Sequence, residues 1–327
     1  MTGTSSSKTP GTANRPTGDS LRTLRAVFRG SIRESVAIGP MTSFATGGTS
    51  AYLFVPVSEA DVSVLVPWLE RQGIDLRYLL PGANMLVDDA GFHGAMIDLR
   101  RACSEISYRT GAGDTRLVTA GAGIRLAELG DFCVRNEIAG LEEFAGIPGS
   151  MGGALVETRG EQANALRGRL RALRVLAHGG IASLSPDEAA GVLARRNDDR
   201  CVILSGTFEF HRGSLEELLR ARRRALLKRA ARVTLNVPRA GVVFQDEPDA
   251  TADDLLIQAG CAGVTGGGAM TMDAHPNIVV NRGKATASEI YGVIREMQKK
   301  VKQSLGRGLT LRVRLAGFGS PKVAEAG

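Results

Sequence analysis

The chain has 327 residues, 43% of them hydrophobic and 23% charged, the proportions of a soluble globular protein with material for two or three lobes. No apolar run is long enough to span a bilayer, the N-terminus lacks the apolar core of a secretory signal, and the four cysteines show neither CxxC spacing nor a histidine cluster. These features set aside a membrane span, an exported protein and a zinc site, and the net charge of +7 suits an anionic substrate such as a nucleotide or phosphosugar and would also suit weak nucleic-acid binding.

Residues 1 to about 20 are rich in Ser, Thr, Gly and Pro and read as a disordered tail, with order beginning near Leu21. Ser50–Pro56 is strand-like. Glu59–Gln72 has helical spacing, with Val62, Leu65, Val66 and Leu69 on one side and a break or kink expected at Pro67. A short strand, Tyr78–Leu80, runs straight into Pro81-Gly82-Ala83-Asn84. Ala95–Leu99 and Arg116–Ala120 follow as strands, then a helix at Leu126–Asn136. Leu173–Ala177 and Cys201–Phe210 are strands around a helix at Pro186–Arg196.

Ser214 with Glu217 forms a capping box for a helix whose apolar stripe is Leu215, Leu218, Leu219 and Leu226. The other face is Arg-rich but has no aromatic residues for base stacking, so a solvated interdomain helix is expected. Thr286 with Glu289 opens a second helix through Ile290, Val293, Ile294, Met297 and Val301, stopped at Gly306. It feeds a strand at Leu309–Leu315 with strict apolar–polar alternation, which puts Arg312 on the polar face. The fold class is α+β. The expected division is a tail at 1–20, a first domain at 21–213 with subdomains of about 21–100 and 101–213, a second domain at 214–318, and a tail at 319–327.

Two glycine-rich loops carry the chemistry. Pro81-Gly82-Ala83-Asn84-Met85-Leu86 follows a strand, and its small residues expose successive backbone N–H groups, the makings of an anion nest. By itself it is equally a turn. Gly146-Ile147-Pro148-Gly149-Ser150-Met151-Gly152-Gly153 places four glycines in eight positions, a backbone-entropy cost that packing alone does not require. Gly47-Gly48 and the turn at Gly121 are further small-residue sites. None of these follows the GxGxxG dinucleotide pattern.

In order, Thr42-Ser-Phe44 with Gly47-Gly48, Pro-Gly-Ala-Asn-Met-Leu-Val, Gly121-Ala-Gly123 and Gly-Ile-Pro-Gly-Ser-Met-Gly-Gly-Ala resemble the UDP-N-acetylenolpyruvoylglucosamine reductase family, from about residue 40 to residue 317. Ala240-Gly241, Phe244, Gln258-Ala-Gly260, Gly267-Gly268-Ala269, His275, Asn277 and Asn281 continue that order. The resemblance implies a two-subdomain FAD-binding unit of the vanillyl-alcohol-oxidase/PCMH type and a C-terminal substrate-binding lobe. It implies non-covalent FAD held by Gly47, Gly48, Pro81 to Leu86, Gly121, Gly146 to Ser150, Gly152 and Gly153. It also implies reduction by NADPH, and hydride transfer to an enolpyruvyl UDP-sugar in peptidoglycan synthesis, by a cytoplasmic enzyme expected to be a monomer.

The departures cluster on the reaction side. Where the family has a proton-donating Ser, in Ser-Ala-Gly-Ser-x-Phe-Lys-Asn-Pro, this chain has Val242, within Arg239-Ala-Gly-Val-Val-Phe-Gln-Asp-Glu-Pro248. Arg312 stands where the family's last strand carries a Glu. The Arg of a family Tyr-Arg-x-Ser segment maps to Arg195, with Arg196 equally available, and Glu157 begins the stretch matching Met-Asn-Ala-Gly. Arg195 and Arg312 are thus the catalytic candidates, and Cys261 is a substitute donor only if the fold brings it to the site. Four readings follow: the family reaction with another proton source, a flavin oxidoreductase acting on a different anionic substrate, a non-catalytic FAD-binding relative, or, ranked last, a basic interaction module without flavin.

Overall fold

Phe54 is the centre of the N-terminal unit, with Phe28 and Trp68 edge-on to its ring at centroid separations of 6.1 and 6.3 Å. The computed structural model describes residues 16–80, 84–157, 161–177, 180–194, 201–231 and 240–319. Helix α1 (Gly18–Val27) starts before the expected onset of order, because the Thr17 hydroxyl accepts the Ser20 N–H as an N-cap. After it come β1 (Ser31–Ala37), β2 (Thr49–Val55), α2 (Glu59–Gln72), β3 (Leu76–Leu79), β4 (Met85–Val87) and β5 (Phe92–Asp98). The sheet order is β1-β2-β5-β3, antiparallel between β1 and β2 and parallel elsewhere. The break expected at Pro67 does not occur. Trp68 and Leu69, just beyond it, are buried in the core, and that packing outweighs the lost N–H bond.

The second unit contains β6 (Ile106–Thr110), β7 (Thr115–Gly121), α3 (Leu126–Arg135), β8 (Ile138–Ala139), α4 (Met151–Val156), α5 (Glu161–Arg167), β9 (Leu170–Ala177), β10 (Gly180–Leu184), α6 (Pro186–Ala194) and β11 (Val202–Arg212). Its antiparallel sheet runs β10-β9-β11-β7-β6, with β8 added to β11. One apolar core is continuous through both units.

Helix α7 (Leu215–Ala231) differs from its expected stripe. Leu218 and Ala225 are buried, whereas Leu215 and Leu219 are exposed. The reason is the surface it meets: α7 lies on the second unit, where Arg222 pairs with Asp131 at 2.7 Å and Arg229 donates to the Ala145 and Glu143 carbonyls. It therefore buttresses the approach to the second glycine loop.

The third unit has β12 (Ala240–Val242), α8 (Ala252–Gln258), β13 (Thr265–Gly266), β14 (Ala269–Thr271), β15 (Ile278–Asn281), α9 (Ala287–Leu305) and β16 (Arg314–Ala316), with the sheet order β12-β15-β14-β13. Helix α9 buries the stripe read from the sequence and carries the full capping box at Thr286 and Glu289. The strand expected at Leu309–Leu315 is interrupted. The N–H groups of Arg312 and Val313 both donate to the Val243 carbonyl, a bulge-like arrangement, and regular pairing starts only at Arg314.

The third unit is tied to the first by β16, which pairs parallel with β4 as Arg314↔Met85, Leu315↔Leu86 and Ala316↔Val87. Polar clasps flank this pairing. Asn281 Nδ2 donates to the Phe44 carbonyl at 2.9 Å and the Thr46 hydroxyl donates to the Ala285 carbonyl at 2.8 Å. Asp89 accepts from the Ala287 and Ser288 N–H groups, each at 2.8 Å, and from the Ser288 hydroxyl, so a first-unit carboxylate caps a third-unit helix. Partial burial pushes the Asp89 pKa up, but the Ser288 hydroxyl and the two amides outweigh it and hold the carboxyl below its ordinary value. A depressed folded-state pKa stabilises above the unfolded value and is lost as pH falls through the folded one. Asp89→Ala is therefore expected to cost about 1 kcal/mol near neutral pH. The melting-temperature gap from wild type should shrink as pH drops below about 4; a gap constant with pH would contradict the clasp.

Candidate active site

The second glycine loop is zipped onto the Gly121 turn. Leu126 N–H donates to the Gly149 carbonyl (3.1 Å), Met151 N–H to Ile124 (2.8 Å) and Gly152 N–H to Ala122 (3.0 Å). A Cβ on Gly152 would lie 2.7 Å from the Ala122 Cβ, and one on Gly121 would lie 2.3 Å from the Cys103 carbonyl oxygen. Gly152 must be glycine for the loop to meet the turn, and Gly121 must be glycine for the turn to pass Cys103. Gly146 and Gly149 have φ of 70° and 110°, which L side chains rarely adopt. Ile147 is nearly buried, and Ser150 is buried with its hydroxyl capping α4 through the Gly153 N–H. Pro148 lies between them.

Gly47 and Gly48 pack on the end of the first loop. Gly48 N–H donates to the Asp88 carbonyl, and a Cβ on Gly47 would lie 2.5 Å from the Val87 oxygen. Pro81, Gly82 and Ala83 lie outside the described residues. Met85 and Leu86 turn their side chains into the core, so only their backbone is available to a ligand. Asn84 is the polar residue of this loop. Its Nδ2 donates to the Val242 carbonyl at 2.6 Å, and its own carbonyl accepts from Arg314 N–H.

Val242 therefore sits where the first loop meets the third unit, half-buried on β12. Arg312 reaches from the same unit to the end of α4, its Nε 3.2 Å from Glu157 Oε2. The pair bridges the third unit and the second glycine loop's helix. Arg195, Arg196 and Arg239 lie outside the described residues. Cys261 is not at the site: it is fully buried against α9, and burial raises its pKa. Burial likewise pushes Cys103 and Cys133 up to about 12, so these are core thiols.

The structure thus gathers the Gly121 turn, the Gly146–Gly153 loop, Asn84, Val242 and Arg312 around the junction of the three units. Sequence reasoning missed two features here, namely the partner role of Glu157 and the buried hydroxyl of Ser43.

Two family models match the chain: an FAD binding domain at residues 50–183 and the UDP-N-acetylenolpyruvoylglucosamine reductase C-terminal domain at residues 233–316. The UDP-N-acetylenolpyruvoylglucosamine reductase of Syntrophobacter fumaroxidans is 33% identical over 84% of this chain and 80% of its own length. That of Heliobacterium modesticaldum is 31% identical over 92% and 95%. The chain belongs to the UDP-N-acetylenolpyruvoylglucosamine reductase family. In fold it is similar to the crystal structure of the reductase from Thermus caldophilus, with a TM-score of 0.64 at 22% identity, covering 88% of this chain and 99% of that one.

With the family come the FAD cofactor and an oxidoreductase activity of peptidoglycan synthesis. The residues present fit FAD. Among the described residues, Ser43 Oγ and Asn84 Oδ1 are buried side-chain polar atoms without a protein partner. Such atoms cost about 1–3 kcal/mol each unless something pairs with them. Asn84 belongs to the first glycine loop, so a polar ligand held there would satisfy its Oδ1.

The close approach of Gly152 to Ala122 gives a test. Gly152→Ala is expected to lower stability by about 1–3 kcal/mol through overpacking and to reduce the flavin retained on purification, read as the ratio of flavin to protein absorbance. Gly292→Ala, on an exposed position of α9 with open space around it, should leave that ratio unchanged. Equal flavin retention in both variants would contradict the role given to the zipped loops.

Proposed function

We propose that the chain is an NADPH-dependent FAD reductase whose substrate is an anionic UDP-sugar carrying an enolpyruvyl group, as the family name indicates, working in the cytoplasm on the cell-wall pathway. The carrying observation is the junction itself: Asn84 of the first glycine loop is hydrogen-bonded to the Val242 carbonyl of the third unit. A substrate held by the third unit would meet a flavin held by the first two at that point. The division of labour follows, with residues up to α6 and β11 holding the cofactor, α7 supporting its second loop, and the third unit from β12 onward taking the substrate.

When bound, FAD supplies the hydride chemistry. The protein's own part is to hold, orient and shield. The anion nest expected at the first loop would favour the negative charge of a pyrophosphate, while in the second loop the Met151, Gly152 and Gly153 N–H groups are taken up by Ile124, Ala122 and Ser150. Val242 donates no proton, so the proton that completes the reduction comes from solvent reaching the junction. The loss of a positioned acid slows such a step by about 10²- to 10⁴-fold. A second reading, reduction of a different anionic acceptor, draws on Arg312, a fixed cation where the family carries a carboxylate.

NADPH consumption by the FAD-loaded protein, with and without the enolpyruvyl UDP-sugar, tests the proposal. Slow substrate-dependent oxidation is expected, and Val242→Ser should raise it by about tenfold or more. Flavin bleached by NADPH but not reoxidised by the UDP-sugar, in either protein, would overturn this reading in favour of the second.

A further inference from the structure

Glu157 and Arg312 approach each other from different units. Glu157 is the C-cap of α4, which opens at the second glycine loop, and Arg312 lies on the irregular segment before β16. Their side chains are partly exposed, 22% and 37%, with Nε and Oε2 3.2 Å apart. The Arg312 backbone is fixed, its N–H bonded to the Val243 carbonyl at 2.8 Å, one residue from Val242.

Glu157 also has a second cation. Arg167 of α5 donates to the Leu155 carbonyl at 3.0 Å and lies close enough to Glu157 for the carboxylate to stabilise its charge against the cost of burial. One carboxylate is thus shared between a guanidinium of its own unit and one from across the junction. A partly exposed ion pair contributes little net stability. Transfer of Arg312 to another carboxylate is therefore a cheap exchange, since Glu157 keeps Arg167.

We propose that Arg312 is the anchor for a carboxylate on the substrate and that Glu157 is an internal stand-in which holds this anchor in place and yields it when the substrate's carboxylate arrives. A guanidinium matches a carboxylate in a planar two-point geometry, so the exchange keeps the same kind of contact. The internal carboxylate competes with the ligand, and removing a competitor raises apparent affinity by the fraction of anchor it had occupied. The inference rests on the junction being the substrate site.

The sign of the effect is the test. Binding of the enolpyruvyl UDP-sugar and of UDP-N-acetylglucosamine, which lacks the carboxylate, is measured by calorimetry on the FAD-loaded wild type, Glu157→Gln and Arg312→Gln proteins. Glu157→Gln should tighten the enolpyruvyl compound by about threefold to tenfold and leave the carboxylate-free compound unchanged. Arg312→Gln should weaken the first by about tenfold or more and spare the second. Weaker or unchanged binding of the enolpyruvyl compound to Glu157→Gln would overturn the stand-in role, and a misfolded variant cannot mimic the expected gain. If the wild type binds neither UDP compound, the substrate reading fails. The pair is then judged on phosphoenolpyruvate, which must bind Glu157→Gln at least about threefold more tightly than wild type, equal binding overturning the proposal.

Discussion

Met85–Val87 of the first unit and Arg314–Ala316 of the third form the two-stranded parallel pairing of β4 with β16. Met85, Leu86 and Val87 are buried there, together with Ala316. This pairing fixes the third unit directly behind the first glycine loop, because Arg314, the first residue of β16, also donates to the Asn84 carbonyl. Everything proposed for the substrate side depends on it. Asn84 meets Val242, and Arg312 meets Glu157, only because the last strand returns to the loop. The clasps at Phe44–Asn281, Thr46–Ala285 and Asp89–Ser288 support the same junction from its outer side. A parallel pair as short as this has little stability alone. Leu86 and Val87 supply what is missing by entering two different apolar clusters, one with the third unit and one with the first sheet.

The flavin side and the substrate side obey different constraints. On the flavin side the residues are dictated by backbone proximity, since a Cβ at Gly121 or Gly152 has nowhere to go. Substitution there is penalised by sterics whatever the reaction. On the substrate side the constraint is chemical and can be exchanged. There Val242 meets Asn84 only through its backbone carbonyl, and Arg312 faces the Glu157 carboxylate at the end of α4.

Local signals were legible in the sequence. The capping box at Thr286 and the five-residue apolar stripe gave α9 because both act within one or two turns of helix. The glycine loops were legible as an ordered set, and their joining through Gly149, Ala122 and Ile124 was not, because that contact is set by β7 and α4 packing together. Alternation placed Arg312 on a polar face but smoothed over the shared Val243 carbonyl that breaks the strand. The stripe assigned to α7 was off by a rotation, since the helix buries Leu218 and Ala225, pairs Arg222 with Asp131 of α3 and reaches the Glu143 and Ala145 carbonyls with Arg229, a tertiary choice that leaves Leu219 exposed. Nothing in the spacing of Glu157 and Arg312 announces that they touch. Pairing across the chain is invisible to periodicity.

The central claim is that cofactor loops and the returning last strand form one structural unit. Hydrogen exchange on FAD-loaded and FAD-stripped protein measures this directly. FAD is expected to slow exchange at residues 84–87, 121–124 and 149–153 and, in the same step, at residues 312–316, of which 314–316 pair with β4 and 312–313 bond to Val243. Protection confined to the glycine loops, with 312–316 exchanging at the same rate in both forms, would contradict it.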